Sequence, residues 1–213
     1  MQIESIEAIS KDKSRIKLDS GEKFLLYKGE IRTLHLKENS DISEETYKSI
    51  VKGILPKRAK LRLLNLIKVK SYTEYQLRKK LQDSEYPEDI IDEAIEYVKS
   101  FHYIDDRAFA VDFINLHSNQ HSKKEMYLRL SQKGIQKEVL DAAFTEVYGS
   151  YQDAREGESF DETSLIKKTL KKRGFTGEET YEERQKLLAY FYRRGFEMDS
   201  VYKAMDALKD GEE

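Results

Sequence analysis

The chain has 213 residues, with 38 Lys and Arg against 40 Asp and Glu, and it contains no cysteine. That excludes disulfides, thiolate nucleophiles and cysteine-based zinc sites, and it fits a reducing compartment. With 38% hydrophobic and 37% charged residues, and no apolar run near the ~20 residues of a membrane helix, the composition suits a soluble protein with a thin core and a heavily charged surface.

The first ten residues carry Glu4 and Glu7 and lack the basic and apolar regions of a signal peptide, so the cytoplasm is the expected compartment. Residues 1–39 do not read as helix. Arg15-Ile16-Lys17-Leu18 alternates, Asp19-Ser20-Gly21-Glu22 is a turn, and Lys23 to Tyr27 follows as the second arm of a hairpin. Ile31 to Leu36 is expected as a further strand. Ser43 to Ile54 reads as a helix capped by Ser43, and Leu55-Pro56 is expected to break it, because proline disfavours helix in the residue before it.

Beyond Pro56 the pattern is helical, in three tandem groups of three helices, and one apolar spacing recurs in all of them. Leu77, Leu81, Tyr86, Ile91, Ala94, Ile95 and Val98 are matched 49 residues later by Met126, Leu130, Ile135, Leu140, Ala143, Phe144 and Val147. They are matched again 61 residues further on by Leu187, Phe191, Phe196, Val201, Ala204, Met205 and Leu208. A fixed internal period of this kind predicts stacked repeats with an extended curved surface. The expected fold is therefore mainly α. Residues 1–55 form a small β element plus a helix, and three-helix repeats occupy residues 57–101, 102–148 and 163–213. The acidic stretch 149–162 is expected to be a linker and hinge between the last two repeats. Thr73-x-x-Gln76, Ser122-x-x-Glu125 and Thr180-x-x-Glu183 are capping boxes. Gly134 and Gly195 close helices at equivalent places. Glu85 stands at that place in the first repeat, so a different turn is expected there.

The strongest candidate for function is a basic run: Lys57, Arg58, Lys60, Arg62, Lys68, Lys70, Arg78, Lys79 and Lys80, with only Glu74 among them. It reads as a positive surface for phosphates or acidic protein groups. The plainer alternative is a solvated helix face balanced by acids of the third helix, and the charge imbalance favours the surface. Lys123, Lys124, Arg129 and Lys133 repeat the feature in the second repeat. Lys167, Lys168, Lys171, Lys172, Arg173, Arg193 and Arg194 repeat it in the third. Tyr72, Tyr75, Tyr127, Tyr190 and Tyr192 lie among these cations, and packing explains them better than base stacking. Asp105-Asp106 offers paired carboxylates but, just before an apolar helix, reads as a cap with a dipole-compensating acid. Thr73 and Ser122 are the other structural caps. His117 and His121 have a zinc-compatible spacing, yet no third ligand is evident, so no metal is expected. Phosphate-binding loops, dinucleotide fingerprints and nucleophile elbows are absent from the sequence. No cofactor and no enzymatic activity are expected.

Four segments together resemble a known family. Arg58-Ala59 opens an apolar helix, followed by Thr73-x-x-Gln76-Leu77-x-x-Lys80-Leu81 and by Phe101-His102-Tyr103-Ile104-Asp105-Asp106-Arg107-Ala108-Phe109-Ala110. With Leu130-Ser131-x-Lys133-Gly134-Ile135, the order and spacing resemble the bacterial RecX family over residues 57–210. Thr73 and Gln76 replace the usual Ser and Glu, and His102 replaces the usual Gly. The resemblance implies a curved crescent of three-helix repeats that enters the groove of the RecA filament on single-stranded DNA. It implies a monomeric regulator that inhibits the filament's ATP hydrolysis and strand exchange, and so acts on recombinational repair and the SOS response. The runner-up is a protein that binds DNA directly through helix-turn-helix-like repeats without a recombinase. A generic scaffold for another protein is the third reading.

Overall fold

The computed structural model describes residues 1–149 and 162–210, which fall into two compact units, Met1–Asp105 and Asp106–Glu213. The expected linker at 149–162 lies almost wholly outside the described residues.

The first unit opens with an antiparallel sheet in the order β1 (Ile3–Ala8), β2 (Lys13–Leu18) and β3 (Lys23–Tyr27). Alternation decides its faces: Ile16, Leu18, Phe24 and Leu26 are buried, and Ile16 pairs directly with Phe24. The hairpin is where the alternation predicts it. The third strand is β1, and the strand expected at residues 31–36 is instead a short helix, α1 (Lys28–Thr33). Its first turn is held by the Tyr27 amide donating to the Glu30 carboxylate at 2.7 Å. Ile31 and Leu34, spaced by three, then reach the core together.

Leu55-Pro56 does not end the next helix. α2 (Glu44–Ser49) runs through a wide π turn at Ile50–Ile54 directly into α3 (Leu55–Ile67). The Leu55 amide donates to the Ile50 carbonyl five residues back. A proline inside an α-helix lacks its N–H and clashes with the preceding turn, and the π turn supplies the room. α4 (Glu74–Gln82) follows the Thr73–Gln76 capping box, and α5 (Glu88–Ser100) completes the unit. Sheet and helices share one core, in which Phe24, Leu26, Leu55, Leu63, Leu77 and Ile91 are buried.

The second unit holds α6 (Asp106–His117), α7 (Lys123–Gln132) and α8 (Lys137–Phe144), the last continued by a π turn at Thr145–Gly149. It also holds α9 (Glu162–Lys172), α10 (Tyr181–Arg193) and α11 (Met198–Lys209). Each trio has its own core, with Ile114, Met126, Leu130 and Leu140 in one and Ile166, Phe191, Val201 and Met205 in the other. None of the repeated apolar positions read from the sequence is exposed. The protein is thus mainly α, built of three-helix groups behind a small N-terminal sheet.

The helix-ending turn is the same in all three groups. Gly134 (φ 81°) and Gly195 (φ 78°) are left-handed, and so is Glu85 (φ 54°), contrary to the expectation of a different turn. In each, the residue after the left-handed one donates back along the chain to the helix: Tyr86 to Leu81, Ile135 to Leu130, Phe196 to Phe191. Glu85 is held there by Arg15 of β2, whose Nε donates to its carboxylate at 2.6 Å. His102, which replaces a usual glycine, also has φ 54°.

Candidate functional site

The cations that look like one surface in sequence divide into two populations. Some are engaged inside their own unit. Arg58 of α3 is mostly covered, donates to the Leu25 carbonyl at 3.0 Å, pairs with Glu30 of α1, and stacks 4.6 Å from the Tyr27 ring centre. Lys60 pairs with Glu93 of α5 at 2.7 Å and lies over Tyr97. Arg78 of α4 bonds Glu74 at 2.8 Å and Asp92 of α5 at 2.5 Å. The plainer reading of the basic run, balance by acids of the third helix, therefore accounts for Lys60 and Arg78, while Arg58 is balanced from α1.

Others remain uncompensated. Among the described residues, Lys57, Arg62, Lys68 and Lys79 have no carboxylate within ion-pair distance. Lys70, in the connection between α3 and α4, and Lys80 of α4 approach one ring, that of Tyr72, at 4.9 and 5.5 Å. A cation–π contact contributes about 0.5–1 kcal/mol at an exposed site and leaves the charge unneutralised. Lys70 and Lys80 thus share the Tyr72 ring, and Lys68 and Lys79, each next to or near them in sequence, are uncompensated as well. Thr73 is buried and caps the start of α4, the helix that carries Lys79 and Lys80 in its last turn.

In the second unit the predicted residues do different work. Ser122 caps α7 by accepting from the Glu125 amide at 3.1 Å, and its hydroxyl donates to the Arg194 carbonyl at 2.6 Å. The expected reciprocal half of that capping box is missing, because the Glu125 carboxylate turns elsewhere. It receives Arg194 at 3.1 Å and Arg129 at 2.8 Å, and contacts His121 Nδ1 at 3.0 Å. Arg194 also donates to the Gln120 carbonyl at 3.1 Å and to the Tyr190 hydroxyl at 2.8 Å. Burial opposes the Glu125 charge, but the bonds from His121, Arg194 and Arg129 outweigh it and hold the carboxyl below its usual range. Arg129 and Arg194 are therefore parts of a latch between α7 and the end of α10.

Gly195 packs against Lys124, where an added Cβ would meet that side chain at 3.1 Å. Lys123 lies 4.0 Å from the Tyr148 ring centre and Lys133 5.8 Å from that of Phe109. Arg193 is exposed at the end of α10. Asp105 immediately precedes α6, in the N-cap position. His117 and His121 have ring centres 5.8 Å apart. Among the described residues no group of three or more His, Asp or Glu could hold a metal ion, and no helix is long and apolar enough to cross a membrane. The latch and the Arg15–Glu85 pair escape a sequence reading, since their partners lie about seventy residues apart.

Comparison with known proteins places this architecture. Residues 59–97 match the family description "RecX, first three-helix domain", and residues 161–205 match "RecX, third three-helix domain". The Regulatory protein RecX of Caldanaerobacter subterraneus subsp. tengcongensis is 28% identical over 174 residues, covering 81% of this chain and 82% of the relative. That of Clostridioides difficile is 25% identical over 215 residues, covering 99% and 97%. A crystal structure of regulatory protein RecX aligns over 98% of both chains with a TM-score of 0.61 and 23% identity. RecX from Lactobacillus salivarius aligns with 72% of this chain and 96% of its own, with a TM-score of 0.57 and 19% identity. Two matched three-helix domains, relatives spanning nearly the whole chain, and the same fold agree: this chain belongs to the RecX family.

Proposed function

We propose that this protein binds the RecA filament on single-stranded DNA and inhibits its ATP hydrolysis and strand exchange, acting as a cytoplasmic monomer in recombinational repair and the SOS response. The observation that carries the reading is the Tyr72 cluster. Lys70 and Lys80 converge on one ring, Lys68 and Lys79 lie close to them in sequence, and none of the four meets a carboxylate among the described residues. Like charges gathered without a counter-ion are stabilised by an acidic partner, and a nucleoprotein filament presents both phosphates and acidic protein groups.

The test is single-stranded-DNA-dependent ATP hydrolysis by RecA of the same source, with this protein added well below one per recombinase subunit. Strong inhibition at that ratio supports binding along or at the end of a filament. An unchanged rate together with salt-sensitive binding to bare DNA would favour a direct DNA-binding protein, whose affinity falls with salt by about 0.9 log units per phosphate contact.

A further inference from the structure

The first unit contains a cleft that the recombinase reading does not use. It has a volume of about 310 Å³ and lies between β3, α3 and the turn at residues 84–86, near the lower end of the ~300–1,000 Å³ typical of ligand sites. We propose that it docks an extended segment of a partner protein that carries a bulky apolar residue next to a carboxylate.

The apolar half of the argument is the lining. Leu25, Leu55, Leu61 and Leu66 form its walls, and Leu61 is 58% exposed, an aliphatic side chain left open to water. The charged half is what stays unbalanced after internal pairs are removed. Arg58 is satisfied by Glu30 and the Leu25 carbonyl, and the wall's carboxylate, Glu85, is satisfied by Arg15. That leaves Arg62, with no partner among the described residues, and Lys13, whose ammonium meets only the Tyr27 ring at 5.1 Å. Burial pushes the Tyr86 phenol up while Arg58 and Arg62 act against it, so the Arg62 head lies close enough to be felt inside the cleft. An anion entering there meets two uncompensated cations beside an aliphatic wall. A nucleobase fits less well, because Tyr27, the exposed ring, already carries Lys13 and Arg58. Lys13 begins β2, and Leu25 and Tyr27 belong to β3, so the cleft exists because the N-terminal sheet packs on α3. The sheet thereby acquires a binding role.

The chain has no tryptophan, so a tryptophan-containing peptide can be followed by its own fluorescence against the full-length protein. The probe is acetyl-Gly-Trp-Asp-Asp-amide, with acetyl-Gly-Trp-Asn-Asn-amide as its neutral twin. Saturable binding is expected, weakened about ten-fold in the neutral twin and by a similar factor in Arg62→Gln, as for loss of a charge-assisted hydrogen bond. Leu61→Asp is expected to abolish it. Both substitutions are at exposed positions, and circular dichroism checks that each variant stays folded. Equal binding of the two peptides, indifference to both substitutions, absence of saturation, or displacement of the probe by oligo-dT would each overturn the proposal. No recombinase enters this assay, so its failure leaves the ATPase test standing, and the reverse holds.

Discussion

A left-handed backbone angle costs a residue with a Cβ about 1–2 kcal/mol, and Glu85 and His102 both sit at φ 54°. They differ in what holds them. Glu85 is bound through both carboxylate oxygens by Arg15 of the sheet, whereas the His102 side chain is exposed and has no partner among the described residues. His102→Gly should therefore stabilise the protein by about 0.5–1 kcal/mol, the relief being reduced by the extra freedom glycine has in the unfolded chain. Glu85→Gly relieves the same angle but releases the sheet from the turn, so it should stabilise less than His102→Gly or destabilise. Urea unfolding of the two variants decides this. Equal gains would mean that the Arg15–Glu85 pair adds nothing to stability.

At the level of elements, the latch between α7 and α10 depends on one carboxylate. Glu125 receives Arg194 and Arg129 while its own amide caps on Ser122. Glu125→Gln keeps the shape and the cap but weakens the charge-assisted bonds, and should cost about 1–2 kcal/mol in urea unfolding at neutral pH. The pH dependence has a fixed sign. A carboxyl held below its ordinary value of 4.5 contributes stability that is complete above that value and disappears as pH falls through the lowered one. The gap between wild type and Glu125→Gln should therefore be full near pH 6 and close as the solution is acidified below pH about 4.5. A gap independent of pH would show that packing, not charge, carries the effect. The sequence makes the cap at Ser122 legible because capping is local. It expects Glu125 to close a box, and Arg194, far along the chain, takes the carboxylate instead.

Across the whole molecule, legibility follows the range of the interactions. The three apolar sets are local periodicities, and all of them are inside their cores. Local rules misjudge Pro56 and residues 31–36, because a π turn and a capping bond to Glu30 override them. The basic run is visible as a run, but Asp92 and Glu93, which neutralise Arg78 and Lys60, lie on the facing α5. Only packing therefore separates structural cations from surface ones, and this separation has a consequence for mutagenesis. Lys79→Glu with Lys80→Glu changes residues that cap no helix and bind no described acid. The double variant should keep its melting temperature within a few degrees, as surface substitutions do, yet bind a RecA filament on single-stranded DNA roughly ten-fold or more weakly at about 0.1 M salt. Its binding should also fall less steeply as salt is raised, by about one log unit of slope for each phosphate no longer neutralised. Arg58→Glu should do the opposite. It sets a carboxylate against Glu30 in a mostly covered site and lowers stability by roughly 2–4 kcal/mol before any interface is tested. Unchanged filament binding by the double variant would remove the α4 face from the interface, and loss of binding by Arg58→Glu alone would report only its unfolding.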